Sequence, residues 1–498
     1  MPAKYSIHTT PAAPRFRPVG KLGVVDWRED CAGCHNCVKR SCVYGFYRDE
    51  ADTLRDERGY LDYIYQCKGC LSCIQNCTKG ILTRVENPEY RQLGDQYYTP
   101  DIVLATWFQA DTGRIPVSGS GYGGPFSGPG FDSMWTDMSE IVRPTRDGIH
   151  GREYISTSVD IGRKLKQLAF QDGRLSVTPP PLVELPLPVI FDCIPAHWQR
   201  GPVLAAVAQA AAELGTMAVV ENNAAGLLAE YGRVIPLVSD VAAAGSQGIC
   251  RAPLVMIRDC ADVLAMQARL KEQNPDRLVM IRLEASPTAK DRVMDLAHGG
   301  AEVIHLVFDR HGRESLAACP HPSPLPEGEG TAHPHLSPLP TKLRSVPGEG
   351  TGRPRHVRDV MRDIHRALVK DGSRDEITLV ASGGIAQAEH MAKAIICGAD
   401  LVAVDVPLLL ALECRLCGEC ERGEPCPIAL EEAEAGYAVH RIQNLIGAWH
   451  QQLIEVLGAM GIREVRRLRG ETGRAMFFED LERDSFGRLF GRRKDCVI

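Results

Sequence analysis

The sequence predicts an α/β fold in which a (β/α)8 TIM barrel follows a cysteine-rich N-terminal module and precedes C-terminal helices. From residue 187 onward, short and continuously apolar runs alternate with longer amphipathic runs. Residues 31–86 contain two runs of cysteines but few apolar residues for a core. Apolar strands that alternate with helices indicate a parallel sheet whose outer face is covered by helices.

Eight apolar runs provide the strands of the predicted barrel, and a barrel of this kind typically needs about 250 residues. An open, doubly wound sheet is the alternative arrangement. The helical patterns between the strands include Pro202–Leu214, Cys260–Glu272 and Ala388–Ile396. The predicted strands are Leu187–Phe191, Met217–Val220, Val234–Val238, Leu254–Ile257, Leu278–Leu283, Val303–Phe308, Ile377–Ala381 and Leu401–Val404.

The chain divides into three predicted regions. Residues 1–94 form a lead-in and the cysteine-rich module, residues 95–428 form the barrel with a further cysteine loop, and residues 429–498 form a C-terminal helical tail. Residues 319–356 interrupt the barrel pattern with proline-rich, repeated segments. Such low-complexity sequence cannot bury a core, so we predict a disordered insertion before the helix His356–Leu368.

Composition excludes several classes of protein. The 44% hydrophobic and 24% charged residues are typical of a globular protein. A formal net charge of −6 gives no reason to expect nucleic acid as a partner. No apolar stretch reaches the roughly 18 residues of a membrane span, and no secretory signal is visible. The sequence therefore predicts a cytoplasmic protein.

The cysteines indicate metal binding rather than disulfides, which are typical of small secreted chains. Two runs share the spacing of iron–sulfur ligands, in which three close thiolates bind one cubane and a distant fourth thiolate serves the other cluster. This rule predicts two 4Fe-4S clusters, and paired zinc ions are the alternative. The ligand sets are Cys31, Cys34, Cys37 and Cys77 for one cluster, and Cys67, Cys70, Cys73 and Cys42 for the other.

This module resembles a bacterial two-cluster ferredoxin over roughly residues 21–86. It departs from that pattern in having Val43 and Thr78, not proline, after the fourth cysteine of each run. A third group follows the last predicted barrel strand and its helix. We predict that it binds a further iron–sulfur cluster, with zinc as the alternative. Its ligands are Cys414, Cys417, Cys420 and Cys426.

Several motifs beyond residue 100 resemble the glutamate synthase family, specifically the FMN-binding barrel of archaeal-type glutamate synthases. The resemblance spans roughly residues 100–480 apart from the insertion. It implies the barrel fold, an oxidoreductase acting on CH–NH2-type donors, and FMN as cofactor. The segments that carry it are Phe131–Gly151, Ala381–Ile385, Ala392–Asp400, Cys426–Ile428 and Leu457–Glu464.

The resemblance also implies cofactor-binding residues. The FMN phosphate would lie on the backbone amides of Gly383 and Gly384, beside Ser382. Glycines after a late barrel strand permit close backbone approach, and the next helix offers its N-terminus to an anion. Arg282 stands where the family has a substrate-facing lysine. Arginine binds carboxylates but does not act as a proton-transfer base, so a buried ion pair and a substrate site are both open for Arg282.

We therefore predict that ferredoxin-type clusters exchange electrons with barrel-bound FMN for chemistry on a small amino- or carboxylate-bearing molecule. No nicotinamide-binding motif is visible, so the partner would be an electron-transfer protein or a separate reductase subunit. The alternatives are a non-catalytic electron-transfer subunit with a degenerate barrel and a zinc-dependent structural adaptor. No catalytic residue is assigned; the acid–base candidates near strand ends are Asp192, His197, Asp309 and His311.

Overall fold

Eight parallel strands close into a barrel in the computed structural model of the chain. The structure describes residues 5–16, 19, 26–27, 38–41, 71–80, 82–83, 87–115, 128–136, 155–167, 170–172, 174–199, 201–221, 224–239, 248–315 and 354–486. The barrel strands are β1 (Val189–Phe191), β2 (Ala218–Val220), β3 (Val234–Val238), β4 (Leu254–Arg258), β5 (Leu278–Glu284), β6 (Val303–Val307), β7 (Thr378–Ser382) and β8 (Leu401–Val404).

Each barrel strand pairs in parallel with the next, and β8 pairs with β1 to close the sheet. This closure confirms the predicted TIM barrel and excludes the open, doubly wound alternative. All eight predicted strands are present, with ends that shift by at most two residues. The strands are continuously apolar because helices cover their outer face while other strands face them across the interior.

Helices surround the barrel. The helix α6 is buried along its whole length, because α8 packs against its outer side. These helices are α1 (Gly201–Glu213), α2 (Ala224–Tyr231), α3 (Val263–Gln273), α4 (Ala289–His298), α5 (Val357–Asp371), α6 (Ala388–Ile396), α7 (Val406–Ala411) and α8 (Ala435–Ala459). Among the described helices, none is both long and apolar enough to cross a lipid bilayer.

A strand pair closes the barrel at the amino ends of its strands, which we call the lower end. Val159–Ile161 runs antiparallel to Val183–Leu185. Ile161 and Leu185 are completely buried. The N–H of Gly162 donates to Oγ1 of Thr378 on β7 at 3.1 Å, which fixes the pair to the barrel. The opposite, upper end carries the loops that follow the strands.

Other elements lie before, between and after the barrel strands. Asp26–Trp27 pairs with Leu82–Thr83, Met134–Thr136 with Ala475–Phe477, and Phe170–Gln171 with Arg174–Leu175. The α-helices outside the barrel are Val38–Ser41, Ser72–Gln75, Pro88–Arg91, Pro100–Thr112 and Phe478–Leu481. Short 3-10 helices are Gly130–Ser133, Ala196–Trp198, Cys420–Arg422, Leu430–Glu432, Val465–Leu468 and Thr472–Arg474, and Glu482–Phe486 is a π-helix.

The predicted insertion at residues 319–356 lies outside the described residues except for positions 354–356. Its two flanks, however, meet in a stem. Arg313 and His356 form a β-bridge, and the N–H of Glu314 donates to the carbonyl oxygen of Arg355 at 2.9 Å. An ion pair between Arg355 and Glu314 at 3.1 Å adds to this stem. The chain therefore leaves the barrel after β6 and returns before α5 at one place.

Candidate functional site

A polar cluster fills the interior of the barrel near its upper end. Arg282 on β5 donates from Nη1 to Oδ1 of Asp192, which follows β1, at 2.6 Å. Because β1 and β5 are not neighbours, this ion pair crosses the barrel interior. His305 on β6 places Nε2 2.9 Å from Oγ of Ser382 and 3.7 Å from Oδ2 of Asp192. We call these four residues the mouth cluster.

Burial and charge set the protonation of the mouth cluster. Burial would raise the pKa of the Asp192 carboxyl, but its interactions with His305 and Arg282 lower it below its usual value. Burial lowers the pKa of His305 to about 4, so its imidazole is neutral at pH 7 and Arg282 is the compensating cation. Nδ1 of His305 is buried and has no hydrogen-bond partner among the described residues.

The mouth cluster is not a nucleophilic triad. In a Ser–His–Asp triad the serine and the aspartate contact opposite nitrogens of the imidazole. In this structure Ser382 and Asp192 both face Nε2 of His305. The serine therefore lacks the polarised base that would activate it as a nucleophile.

Asp405 adds a second carboxyl to the upper end. It directly follows β8 and occupies the N-cap position of α7, whose first turn contains Pro407. Burial and repulsion from Asp192 raise the pKa of the Asp405 carboxyl to about 6. In many (β/α)8 barrels a phosphate binds between the loops after strands 7 and 8 and a short helix N-terminus. Asp405 lies in the loop after strand 8.

Gly383 and Gly384 form a turn after β7 that a residue with a side chain could not adopt unstrained. Their φ angles are +91° and +70°. A Cβ atom on Gly383 would lie 2.5 Å from the carbonyl oxygen of Asp309, and one on Gly384 would lie 2.7 Å from Cα of Gly312. The turn thus has the backbone conformation that a phosphate-binding turn needs, and the loop after β6 occupies the space beside it.

The loop after β6 packs directly on this turn. The N–H of Gly384 donates to the carbonyl oxygen of Arg310 at 3.3 Å. The hydroxyl of Tyr97 donates to the carbonyl oxygen of Gly384 at 2.7 Å. The turn fits a phosphate in backbone conformation, and its Gly384 amide is bonded to the loop after β6 in this structure.

Of the predicted acid–base candidates, only Asp192 belongs to the mouth cluster. Asp309 is exposed, and Oδ1 of its side chain accepts the backbone N–H of His311 at 2.9 Å. His311 in turn places Nε2 2.8 Å from Oδ2 of Asp95. His197 lies exposed on the 3-10 helix after β1. The structure therefore separates these three from the interior.

The third cysteine group forms one loop after α7. All four cysteines are half-buried, and the loop turns through left-handed backbone at Glu413, Leu416, Gly418 and Gly423. Burial, together with repulsion from the other three thiols, raises the pKa of Cys414 to about 12. The thiols at Cys414, Cys417, Cys420 and Cys426 therefore lie close enough to interact with one another.

A hydrogen-bond donor points at one of these sulfurs. The backbone N–H of Leu416 donates to Sγ of Cys414 at 3.5 Å. Burial raises the pKa of the Cys420 thiol above its usual value, and the Trp198 indole opposes this rise. Four neighbouring thiols are the ligand set that an iron–sulfur cubane needs, and its sulfurs accept such N–H hydrogen bonds.

A cubane and a zinc ion need different arrangements of thiols. Four ligands of one zinc ion lie within about 2.3 Å of it, whereas a cubane takes one thiolate at each iron, so its ligands lie farther apart. Within the described ranges, no three His, Cys, Asp or Glu side chains are grouped so that they could hold a metal ion. An iron–sulfur cluster at the third loop stays a prediction.

N-terminal segments fix the third cysteine loop in place. The backbone N–H and Nε of Arg15 donate to the two carboxylate oxygens of Glu413, at 2.9 and 3.0 Å. The N–H of Gly94 donates to the carbonyl oxygen of Arg415 at 2.9 Å. The chain that leads from the N-terminal module to the barrel therefore contacts the loop directly.

Most ligands predicted for the first two clusters lie outside the described residues. Cys73 lies on the helix Ser72–Gln75, and Cys77 follows this helix two residues after its end. The ligand sets of the module stay a prediction. The cysteines outside the described ranges are Cys31, Cys34, Cys37, Cys42, Cys67 and Cys70.

Comparisons with known proteins agree with this organisation. A family profile described as the conserved region in glutamate synthase matches residues 349–463, which include β7, β8 and the third cysteine loop. The archaeal-type glutamate synthase (NADPH) of Dehalococcoides mccartyi is 24% identical over 90% of this chain and 93% of its own length. The chain is glutamate synthase-like. The resemblance found in the sequence is thereby confirmed.

Other relatives align over a similar share of this glutamate synthase-like chain. The archaeal glutamate synthase (NADPH) of Archaeoglobus fulgidus is 23% identical over 93% of this chain and 96% of its own length. Among solved structures, a mandelate oxidase with an FMN adduct is 14% identical, covers 76% of this chain and 91% of its own, and has a TM-score of 0.38.

Proposed function

We propose that the protein is a glutamate synthase-like oxidoreductase in which iron–sulfur clusters exchange electrons with a cofactor in the barrel mouth. The observation that carries this proposal is the four-thiol loop, which continues from α7 at the upper end of the barrel. The curated relatives are named glutamate synthases (NADPH), which supports an oxidoreductase. A small molecule and an electron-transfer protein or reductase subunit are the proposed partners.

FMN is the proposed cofactor of the barrel. The turn at Gly383 and Gly384 would hold its phosphate, with Ser382 beside it and Arg282 facing its ring system. Bound FMN would couple the one-electron transfers of the clusters to two-electron chemistry on the substrate. The positive φ angles of the glycine turn support this assignment.

The residues of the mouth would bind the substrate and move protons. Arg282 is suited to a substrate carboxylate, because a guanidinium binds a carboxylate through two parallel hydrogen bonds. The free Nδ1 of His305 can take a further polar group. Asp405, with a pKa of about 6, can hold or release a proton near neutral pH, which is the property of a general acid or base.

A non-catalytic electron-transfer subunit is the second candidate. The observation that favours it is that polar groups in the barrel mouth already bond to one another. Asp192 pairs with Arg282, and the Gly384 amide donates to the carbonyl oxygen of Arg310. In that case the barrel would hold the iron–sulfur clusters between partner proteins. The four side chains of the mouth cluster would then only stabilise the fold.

Anaerobic purification followed by iron, sulfide, zinc and flavin assays on one sample tests the proposal. We expect about twelve irons per chain, if each of three sites holds a cubane, together with one FMN. Iron without flavin, and no turnover of 2-oxoglutarate with ammonia or of related imino acids, would support the second candidate. Zinc without iron would contradict both.

A matched pair of variants assigns the third cluster. Cys417→Ser removes one predicted ligand and should lower the iron content by about four atoms per chain, since a cubane needs its thiolates. Cys250→Ser changes a cysteine outside the three groups and should leave the iron content unchanged. Equal iron in the wild type and in Cys417→Ser would contradict a cluster at this loop.

A further inference from the structure

We propose that the loop after β6, residues 309–312, is a lid that closes over the glycine turn and opens when a phosphate group binds there. The proposal rests on the proposed function, since it requires that the turn at Gly383 and Gly384 binds the FMN phosphate. In this structure the N–H of Gly384 donates to the carbonyl oxygen of Arg310 at 3.3 Å. A backbone N–H is a single donor, so a phosphate that accepts from it must displace the Arg310 carbonyl.

The lid is a compact turn that can move as a unit. The N–H of Gly312 donates to the carbonyl oxygen of Asp309 at 2.8 Å. Oδ1 of Asp309 accepts the backbone N–H groups of His311 and Arg313 at 2.9 and 2.7 Å. These hydrogen bonds join residues of the lid to one another and to Arg313, so they can persist when the lid moves away from the glycine turn.

Fixed residues on both sides of the lid define where it can bend. Before it, the N–H of Phe308 donates to the carbonyl oxygen of Ser382 on β7 at 3.1 Å. After it, the N–H of Val357 donates to the carbonyl oxygen of Gly312 at 2.7 Å. Between these points Asp309 and Arg310 are exposed. Displacing them therefore does not open the hydrophobic core.

Two side chains at the tip of the lid fasten it to neighbouring segments. His311 places Nε2 2.8 Å from Oδ2 of Asp95, and Nη2 of Arg310 lies 3.6 Å from the same oxygen. Nη1 of Arg310 lies 3.3 Å from Oε1 of Glu421, which belongs to the third cysteine loop. The closed lid is thus held mainly by polar contacts of its side chains.

Asp95 is a fixed anchor for the lid. Its Oδ1 accepts the backbone N–H groups of Tyr97 and Tyr98 at 2.7 and 2.8 Å. The N–H of the preceding residue, Gly94, donates to the carbonyl oxygen of Arg415 at 2.9 Å. Because these bonds do not involve the lid, Asp95 stays in place when the lid opens.

The contacts that close the lid are weak enough for a ligand to release them. The side chains of Asp95, His311 and Arg310 are 22%, 30% and 48% exposed, and water screens ion pairs at such positions. A closed lid excludes the phosphate, so the apparent affinity is reduced to the fraction of molecules whose lid is open. Loosening the lid should therefore strengthen phosphate binding.

The first test follows hydrogen exchange of the full-length, flavin-free protein by mass spectrometry before and after addition of FMN. We expect exchange to rise in a peptide covering residues 308–315, because bound FMN displaces the lid. Exchange should fall in a peptide covering residues 382–387, because the phosphate accepts from the amides of the turn. With FMN bound, unchanged or slower exchange in the first peptide would overturn the proposal.

The second test loosens the lid with Asp95→Asn. The asparagine keeps an oxygen for the backbone N–H groups of Tyr97 and Tyr98 but removes the negative charge that faces Arg310. The dissociation constant for FMN, measured by the change in flavin fluorescence, should fall by about threefold to tenfold. An unchanged or larger dissociation constant would overturn the proposal.

Asp371→Asn is the matched control. Asp371 at the end of α5 also pairs with a histidine, since Nε2 of His298 at the end of α4 lies 3.0 Å from its Oδ2. These helix ends lead into β7 and β6 at the lower end of the barrel, opposite the glycine turn. This variant should keep the wild-type dissociation constant, and an equal change in both variants would overturn the proposal.

The lid and the cofactor can fail separately. A protein that binds no FMN, as wild type and as Asp95→Asn, would overturn the proposed cofactor and the ligand-driven opening with it. A protein that binds FMN without faster exchange in residues 308–315 would overturn the lid alone. The exchange test uses the wild type, so it decides the proposal even where Asp95→Asn does not fold.

Discussion

The buried carboxyl groups at the two ends of the barrel differ in how completely neighbouring positive charges compensate them. At the lower end, Asp400 accepts from Arg374 at 2.8 Å, from Arg469 at 2.7 Å and from the N–H of Leu379 at 2.8 Å. Burial would raise the pKa of Asp400, but the two arginines lower it below its usual value. This carboxylate is ionised and fully compensated.

At the upper end, neighbouring positive charges do not fully compensate the buried carboxyl groups. Burial and repulsion from Asp192 outweigh the attraction of Arg282 and raise the pKa of Asp405 to about 6. His305 has a buried nitrogen without a partner among the described residues. The lower end therefore uses its charges for stability, whereas the upper end retains groups whose protonation can change. In barrel enzymes the upper end is where chemistry takes place.

The largest effect is expected at the lower end. Asp400→Asn would leave the buried Arg374 without its anionic partner and should reduce the free energy of unfolding by about 3–5 kcal/mol. Denaturant unfolding at pH 7 measures this loss. Asp375→Asn is the control, because this 86% exposed carboxylate also pairs with Arg469. It should change stability by less than about 1 kcal/mol. Equal losses in both variants would contradict the comparison.

A smaller loss is expected at the glycine turn of the upper end. Gly384→Ala introduces a Cβ atom 2.7 Å from Cα of Gly312 at a φ of +70°, so strain and overlap should cost about 2–4 kcal/mol. Gly461→Ala has a φ of +67° but nothing within 4 Å of the added atom. Only the strain of about 1–2 kcal/mol applies there. The difference in unfolding free energy between the variants measures how tightly the loop around Gly312 packs.

The smallest effect has the opposite sign. Asp405→Asn should stabilise the protein by about 1–3 kcal/mol at pH 8, because the folded state pays to ionise a carboxyl whose pKa is raised to about 6. Below the unfolded pKa of about 4 both states are protonated, and the difference should vanish. As the pH rises above about 6, the pKa of Asp405 in the folded state, the stabilisation by Asp405→Asn reaches its full size. Denaturant unfolding of the wild type and of Asp405→Asn, at pH 8 and at the lowest pH that keeps the protein folded, measures this difference in stability. A variant less stable than the wild type at pH 8 would contradict the prediction.

Much of the barrel could be predicted from the sequence, because its strands are buried on both faces and therefore read as uninterrupted apolar runs. The helix Ala388–Ile396 has its predicted bounds. The helix Pro100–Thr112 was missed, although Pro100 lies in its first turn and Gly113 ends it in left-handed backbone. Its buried positions, such as Ile102 and Thr106, follow a helical period that the surrounding glycine and proline obscured.

The candidate site was predicted less completely. The glycine turn and the third cysteine loop are local patterns and were found. The pairing of Arg282 with Asp192 joins strands 90 residues apart, and local sequence does not reveal such a contact. His305 was missed too, although a histidine inside the apolar run Val303–Val307 is a signal for a buried polar group. Asp405 was missed despite its position directly after β8.

The stem formed by Arg313, Glu314, Arg355 and His356 has a consequence for protein engineering. Since the backbone already closes at this stem, the free energy of loop closure depends only weakly on how many residues lie beyond it. A shortened connection or an inserted fluorescent domain should therefore be accepted between Ser315 and Pro354. The chain provides its own attachment point for a reporter beside the mouth of the barrel.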